Sequence, residues 1–204
     1  MNNKRREESL TLELLEAIEQ NSGVTQRHLA RRMGVALGLA NSYLKRCVRK
    51  GLVKIKQAPA NRYMYYLTPH GFAEKSRLTT EYLSYSFAFY RRASTSCART
   101  LEQCRDAGHN SVGLYGASDL AEIAALQAIE VGVQIACLCD PAGSRSRFLD
   151  HPVVSTPGES PPLDAWLFTA LDDSRAALRE LNARCGSIPV YVPSVLGLNA
   201  SADG

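Results

Sequence analysis

Residues 33–54 read MGVALGLANSYLKRCVRKGLVK, and the reading of this stretch decides the fold. Gly34 predicts a tight turn, Leu37 to Lys50 a helix, and Gly51 its C-cap. Set at helical spacing, Leu37, Ala40, Leu44 and Val48 fall on one side, with Cys47 at its edge. Gly38, Ser42, Lys45, Arg46 and Arg49 fall on the other, and Asn41 sits at the boundary. One stripe reads as core and the other as small, polar and cationic. A recognition helix in the major groove needs that second stripe: small residues for close approach, then amide, hydroxyl and cationic groups for bases and phosphates.

The flanks agree. Upstream, Leu10 to Gln20 predicts a short amphipathic helix, and Thr25 caps a second one from Gln26 to Met33. Two helices joined by so short a glycine turn are a helix-turn-helix. Downstream the period changes to two, with Val53 and Ile55 alternating with Lys54 and Lys56. Ala58-Pro59-Ala60-Asn61 is a turn, and Arg62 to Leu67 is a second strand. That hairpin is a wing, after which Thr68-Pro69 opens a further helix. The expected architecture is an α+β winged helix-turn-helix domain.

Composition sets the partner. The 204 residues carry a net charge of +4, but residues 1–110 hold 19 Lys/Arg against 9 Asp/Glu, and residues 111–204 hold 5 against 11. Between Gln20 and Ala73 there are ten basic residues and no acidic one. The asymmetry predicts a polyanion-binding half joined to an acidic half. No run reaches the ~18 apolar residues of a membrane span, and the polar start, Met1 to Ser9, does not read as a signal peptide. The six cysteines (47, 97, 104, 137, 139 and 185) form no CxxC pair and no zinc spacing, so buried, reduced thiols in a cytoplasmic protein are expected.

The stretch from Met33 to Lys54, with residues 63–83 (YMYYLTPHGFAEKSRLTTEYL), resembles the MarR-like regulators associated with exopolysaccharide gene clusters. Their pattern runs close to LGISLGxxNxxLKxLxxKGLVK, then a wing, then YxYLLTPxGxxEKxRLTxxFL. The resemblance spans about residues 8–90 and implies a bacterial, nucleoid-associated transcriptional regulator that binds duplex DNA. Ala36 stands where that family tends to have a serine N-cap, and Arg46 and Arg49 make this helix more basic than the pattern. From the helical placement, Gly38, Asn41, Ser42 and Lys45 are the base-edge candidates. Gln26, Arg27, Arg31, Arg46, Arg49 and Lys50 are phosphate candidates, and Lys54, Lys56, Asn61 and Arg62 belong to the wing.

Pro69 to about Asp106 is helix-compatible, with a predicted break at Ser94-Thr95-Ser96. Leu78, Tyr82, Tyr85 and Phe89 form a seam, read as a homodimer or higher-oligomer interface that spaces two recognition helices over a palindromic operator. The alternative is that this stretch packs on its own domain.

In the acidic half, Ser111 to Tyr115 reads as a strand, Gly116 to Asp119 as a turn, Leu120 to Val131 as a helix, and Val133 to Cys139 as a buried parallel strand. With Asp140 lying 24 residues after Gly116, the unit resembles the opening of a Rossmann fold. Its fingerprint has Ser118 where the second glycine of GxGxxG/A belongs. Asp164 to Leu171 is a further strand, Asp172 or Asp173 caps a helix from Ser174 to Cys185, and Ile188 to Val192 is a last strand. Over residues 110–193 the order also resembles small half-Rossmann modules found beside sugar-nucleotide-processing enzymes. The expected fold is α/β Rossmann-like with a short parallel sheet. A nucleotide-like effector is expected, if any, at Gly116, Ala117, Ser118, Asp119 and Leu120, with Asp140, Ser144, Arg145 and Arg147 at its far end. Assembly without a ligand is the alternative.

No carboxylate pair, nucleophile–base arrangement or metal cluster is legible, so neither catalysis nor a metal is expected. His109 and His151 read as solvated loop residues. The domain reading is 1–80 winged helix, 81–109 connecting helix, 110–195 Rossmann-like domain and 196–204 flexible tail. The leading functional expectation is a dimeric transcriptional regulator. The alternatives are a nucleotide- or sugar-nucleotide-dependent enzyme with a DNA-binding appendage, and an architectural nucleoid protein.

Overall fold

The computed structural model describes residues 3–59, 62–143 and 147–198. The chain divides into two compact units, residues 1–87 and 88–204.

In the first unit, α1 (Asn3–Gln20) begins earlier than its apolar pattern. Its first two turns are strong helix formers that need no core, and Lys4 pairs with Glu8 at 3.8 Å across one turn. Helix α2 (Gln26–Arg32) is capped by Thr25, whose hydroxyl accepts from the His28 N–H at 3.2 Å. Gly34, at φ +59°, turns the chain into α3 (Leu37–Arg49), and Gly51, at φ +68°, turns it out again. Strands β1 (Val53–Ala58) and β2 (Arg62–Leu67) pair antiparallel with Val53 opposite Leu67. Val53 and Tyr65 are buried in the helical core, whereas Ile55, directly opposite Tyr65, is exposed.

Helix α4 (Pro69–Asp106) starts under a tight clasp. Thr68 donates its hydroxyl to the Gly51 carbonyl at 2.6 Å and accepts from the Gly71 N–H at 3.0 Å. A side chain at Gly71 would put its Cβ 2.1 Å from the Leu52 carbonyl oxygen. The break expected at Ser94-Thr95-Ser96 is absent, and α4 runs unbroken for 38 residues. Buried Ala93 and Cys97 anchor that stretch in a core, and Thr100 returns its hydroxyl to the Ser96 carbonyl at 2.8 Å, so the local hydroxyls do not compete with the helix.

The second unit is a parallel α/β fold. Its strands are β3 (Ser111–Tyr115), β4 (Gln134–Cys139), β5 (Val153–Val154), β6 (Ala165–Phe168) and β7 (Val190–Tyr191), with α5 (Asp119–Val131) after β3 and α6 (Ser174–Arg184) after β6. The sheet order is β5-β4-β3-β6-β7, with every pair parallel. Alternation along the strands fills two cores. Val112, Leu114, Leu138, Ala165 and Leu167 pack with α5 and the last turns of α4. Tyr115, Cys137, Cys139, Trp166 and Phe168 pack with Leu181 and Cys185.

Strand β6 ends at Phe168, short of the expected Leu171, because Thr169 folds its hydroxyl back onto the Tyr115 and Gly116 carbonyls and Leu171 is exposed. Asp173 stands at the N-cap of α6 without a side-chain bond. Leu196 and Leu198, given to the tail in the sequence reading, pack against the sheet. His109 is not solvated: its Nδ1 lies 3.0 Å from the Tyr191 hydroxyl and its ring meets that tyrosine edge-on. His151 is half-buried against Phe148.

Candidate nucleic-acid interface

Helix α3 buries Ala40, Tyr43, Leu44 and Cys47. The buried stripe is therefore rotated from the expected one: Tyr43 joins it, Val48 is half-buried, and Leu37 is 45% exposed. Leu37 is not among the residues that form the domain's core. The opposite stripe is open. Gly38, Ser42, Lys45 and Arg49 are all exposed, and a Cβ added at Gly38 would meet nothing within 4 Å.

Their polar groups differ in availability. Ser42 donates its hydroxyl to the Gly38 carbonyl at 2.9 Å. Asn41 is half-buried, and its Oδ1 is buried without a hydrogen-bond partner. Arg46 lies on the flank facing α1, its guanidinium 4.6 Å from the Tyr43 ring and 3.3 Å from the Glu7 carboxylate. Lys50 is exposed beyond the helix end.

On α2, Arg27 and Arg31 are exposed, and Gln26 donates to the Tyr65 hydroxyl at 3.4 Å. Arg32 is held by Gln20 and by Glu16. In the wing, Lys54, Lys56 and Arg62 are exposed, with the Lys56 ammonium 5.7 Å from the Tyr66 ring. Asn61 lies outside the described residues. Between α3 and the wing runs a groove of about 550 Å³, floored by Asn41, Leu44 and Val48 and walled by Lys45, Arg49, Ile55 and Tyr63. Tyr63 was missed by the sequence reading. Its signal was the register, which pairs it with Gln57 near the wing tip. The surface is cationic, cleft and convex by turns, as a duplex with a phosphate backbone requires.

The second candidate site lies at the C-terminal ends of β3 and β6, where the strand order reverses and α/β sheets open a ligand crevice. Here hydrogen bonds link the two strand ends. Ser118 caps α5 by accepting from the Ala121 N–H at 3.2 Å and donates to the Thr169 carbonyl at 2.7 Å. Thr169 in turn donates to the Gly116 carbonyl at 2.8 Å. Gly116, at φ +101°, has no room for a Cβ, which would stand 2.5 Å from Ala170 Cα. Asp119 and Glu122 occupy the first turn of α5, where a phosphate would otherwise meet the helix dipole.

Ala117 is half-buried beside these residues and Leu120 is buried, while Asp140 is buried at the end of β4. Arg147 is exposed and pairs with Asp150 at 3.5 Å. Ser144 and Arg145 lie outside the described residues. The Ser118 and Thr169 hydroxyls at this turn are thus both bonded to carbonyls across it.

All six cysteines are free and buried. Burial pushes the thiols of Cys97, Cys104 and Cys139 up to about 12, and those of Cys47 and Cys137 up to about 11. Thiolate chemistry at neutral pH is disfavoured at these five.

A family model described as winged helix-turn-helix DNA-binding matches residues 8–54. No curated protein matches the chain. Among solved structures, one match is the crystal structure of an O-methyltransferase from neocarzinostatin biosynthesis in complex with S-adenosyl-L-homocysteine. It is 15% identical, covers 93% of this chain and 81% of that chain, and has a TM-score of 0.36. The expectation of no catalytic role is corrected by this match to an enzyme, which leaves an enzymatic role for the chain open. A likeness that loose says nothing of this chain's chemistry. The chain is a winged helix-turn-helix followed by an α/β unit with a five-stranded parallel sheet.

Proposed function

We propose that the protein is a sequence-specific transcriptional regulator of duplex DNA, of the MarR-like type, acting as a dimer. The observation that carries this reading is the open stripe of α3. Gly38, Lys45 and Arg49 stand exposed beside a cationic wing, in a 54-residue window without an acid. A helix that only met solvent would mix Glu with its Lys and Arg, as α1 does.

The dimer reading rests on the middle of α4. Tyr82, Leu83, Tyr85, Phe87, Phe89 and Tyr90 are each 43–57% exposed within nine residues. Five of the six are aromatic, and aromatic side chains can bury ~150–250 Å² each, so at about half exposure they offer roughly 500 Å². That is the larger part of the ~800 Å² per partner in a standard interface. For the parallel-sheet unit, the Ser118–Thr169 lacing favours a role in assembly over nucleotide sensing.

The test is a binding titration on duplex from the gene's own upstream region, with footprinting. A regulator protects one or a few palindromic sites, and an architectural protein covers the duplex broadly. Affinity should fall about a thousandfold between about 50 and 200 mM salt if six or more phosphates are engaged. No saturable duplex binding at low salt overturns the reading. The second reading, a nucleotide-dependent enzyme carrying the winged helix as an appendage, predicts saturable binding of S-adenosylmethionine, NAD(H) or a sugar nucleotide. Calorimetry on the full chain distinguishes it.

A further inference from the structure

We infer that Leu37 and Leu39 read the C5-methyl groups of thymine in the major groove, an inference that rests on the regulator reading above. Both residues lie in the first turn of α3, and they are 45% and 43% exposed. Two leucines left nearly half open at the leading end of a helix gain only part of their burial in the free protein. They stand about 100° to either side of Gly38, whose missing side chain leaves the helix surface between them bare. Helical side chains lean toward the N-terminus, so both reach past Ala36 over the end that a recognition helix inserts first.

Charge complementarity selects the occupant. Lys45 and Arg49 are exposed further along α3, and Arg27 and Arg31 are exposed on α2. No acid occurs from Gln20 to Ala73, and the α1 acids that reach this domain's arginines, Glu7 and Glu16, pair with Arg46 and Arg32. An apolar pair inside a cationic field fits a polyanion with apolar points on its edge. On the major-groove edge of unmodified DNA, the thymine methyl is that point. Ser42 has already turned its hydroxyl to the Gly38 carbonyl, so polar readout beside Gly38 is reduced and the methyl contact carries more of the discrimination.

The experiment selects duplexes from a random pool with the full chain, then replaces each thymine of the selected site by uracil, which deletes only the methyl. Binding should weaken about fourfold at one or more positions, the value of removing one buried methyl-sized group. Leu37→Ala, Leu39→Ala and the double variant remove exposed side chains, and circular dichroism confirms their fold. The double variant should bind thymine and uracil duplexes equally, and each single variant should lose discrimination at its own position. Uracil tolerated at every position overturns the inference and leaves the regulator reading standing. So does an unchanged thymine-to-uracil ratio in the double variant. If no duplex is selected, the regulator reading falls, and this inference with it.

Discussion

Helices α3 and α5 each follow a glycine-containing turn, and their N-termini are finished in opposite ways. Both ends carry the partial positive charge of the helix dipole. At α5 a serine cap and two acids, Asp119 and Glu122, satisfy it from within the chain. At α3 the N-cap is Ala36, which supplies no side-chain bond, and the first turn holds no acid. The helix that carries most of a nucleotide fingerprint thus has its N-terminus capped and acidic, and the one without it has neither cap nor acid. A glycine-turn-helix pattern describes backbone; what lies around the turn decides whether a phosphate is welcome.

The same opposition extends to the two interiors, and alkali separates them most strongly. The second unit buries four thiols whose proton affinity is raised, those of Cys97, Cys104, Cys137 and Cys139, and the first buries Cys47. A thiol held above its ordinary 9.0 keeps its proton in the folded chain after the unfolded chain has lost it. Its contribution is complete below about pH 9 and disappears as pH rises toward 11–12. The parallel-sheet unit should therefore unfold first on alkaline titration. Fluorescence of Trp166, the chain's one tryptophan and fully buried in that unit, reports it. A Trp166 signal that is flat from pH 9 to 12 breaks the comparison.

Gly116→Ala tests the closed turn directly. The new Cβ would face backbone atoms of Ala170 at 2.5–2.6 Å, at a φ of +101° that alanine resists. Overpacking and backbone strain together should cost about 3 kcal/mol or more in a urea titration read at Trp166. A cost under ~1 kcal/mol would mean that the turn has the slack a ligand needs.

These contrasts were only partly legible beforehand. The 3.6-residue period of α3, the switch to period two at Val53 and the Thr-Pro start of α4 are local signals, and each produced its element. The orientation of α3 was not local. Tyr43 suits either side of a helix, and whether Leu37 is covered depends on what packs above Ala36. The continuity of α4 was hidden because its serines and threonines read as a break, while the burial of Ala93 and Cys97 that overrides them is tertiary. The role of Ser118 was hidden for the same reason: its partner, Thr169, is 51 residues away. Among the DNA candidates, the Glu7 partner of Arg46 lies 39 residues off, on a stretch of α1 that has no apolar pattern.

On the open side of the comparison, Lys45→Ala should weaken duplex binding by about 1–3 kcal/mol if the ammonium reads a base. The charge-matched control, Arg147→Ala in the acidic unit, should leave affinity unchanged. Filter binding at fixed salt measures both. Equal losses would mean that net charge, and not the α3 stripe, governs binding.

The smallest effect is the most discriminating, because it should carry opposite signs in two assays. Gly38 has helical backbone and open space where a Cβ would stand, the reverse of Gly116. Gly38→Ala should therefore stabilise the first unit by about 0.5 kcal/mol, since alanine loses less backbone freedom on entering a helix. The same methyl stands on the surface that approaches the base edges, so duplex affinity should fall while thermal stability rises. A variant that is both more stable and equally tight would place the duplex elsewhere on α3. One that is less stable would show that Gly38 serves the fold and not the groove.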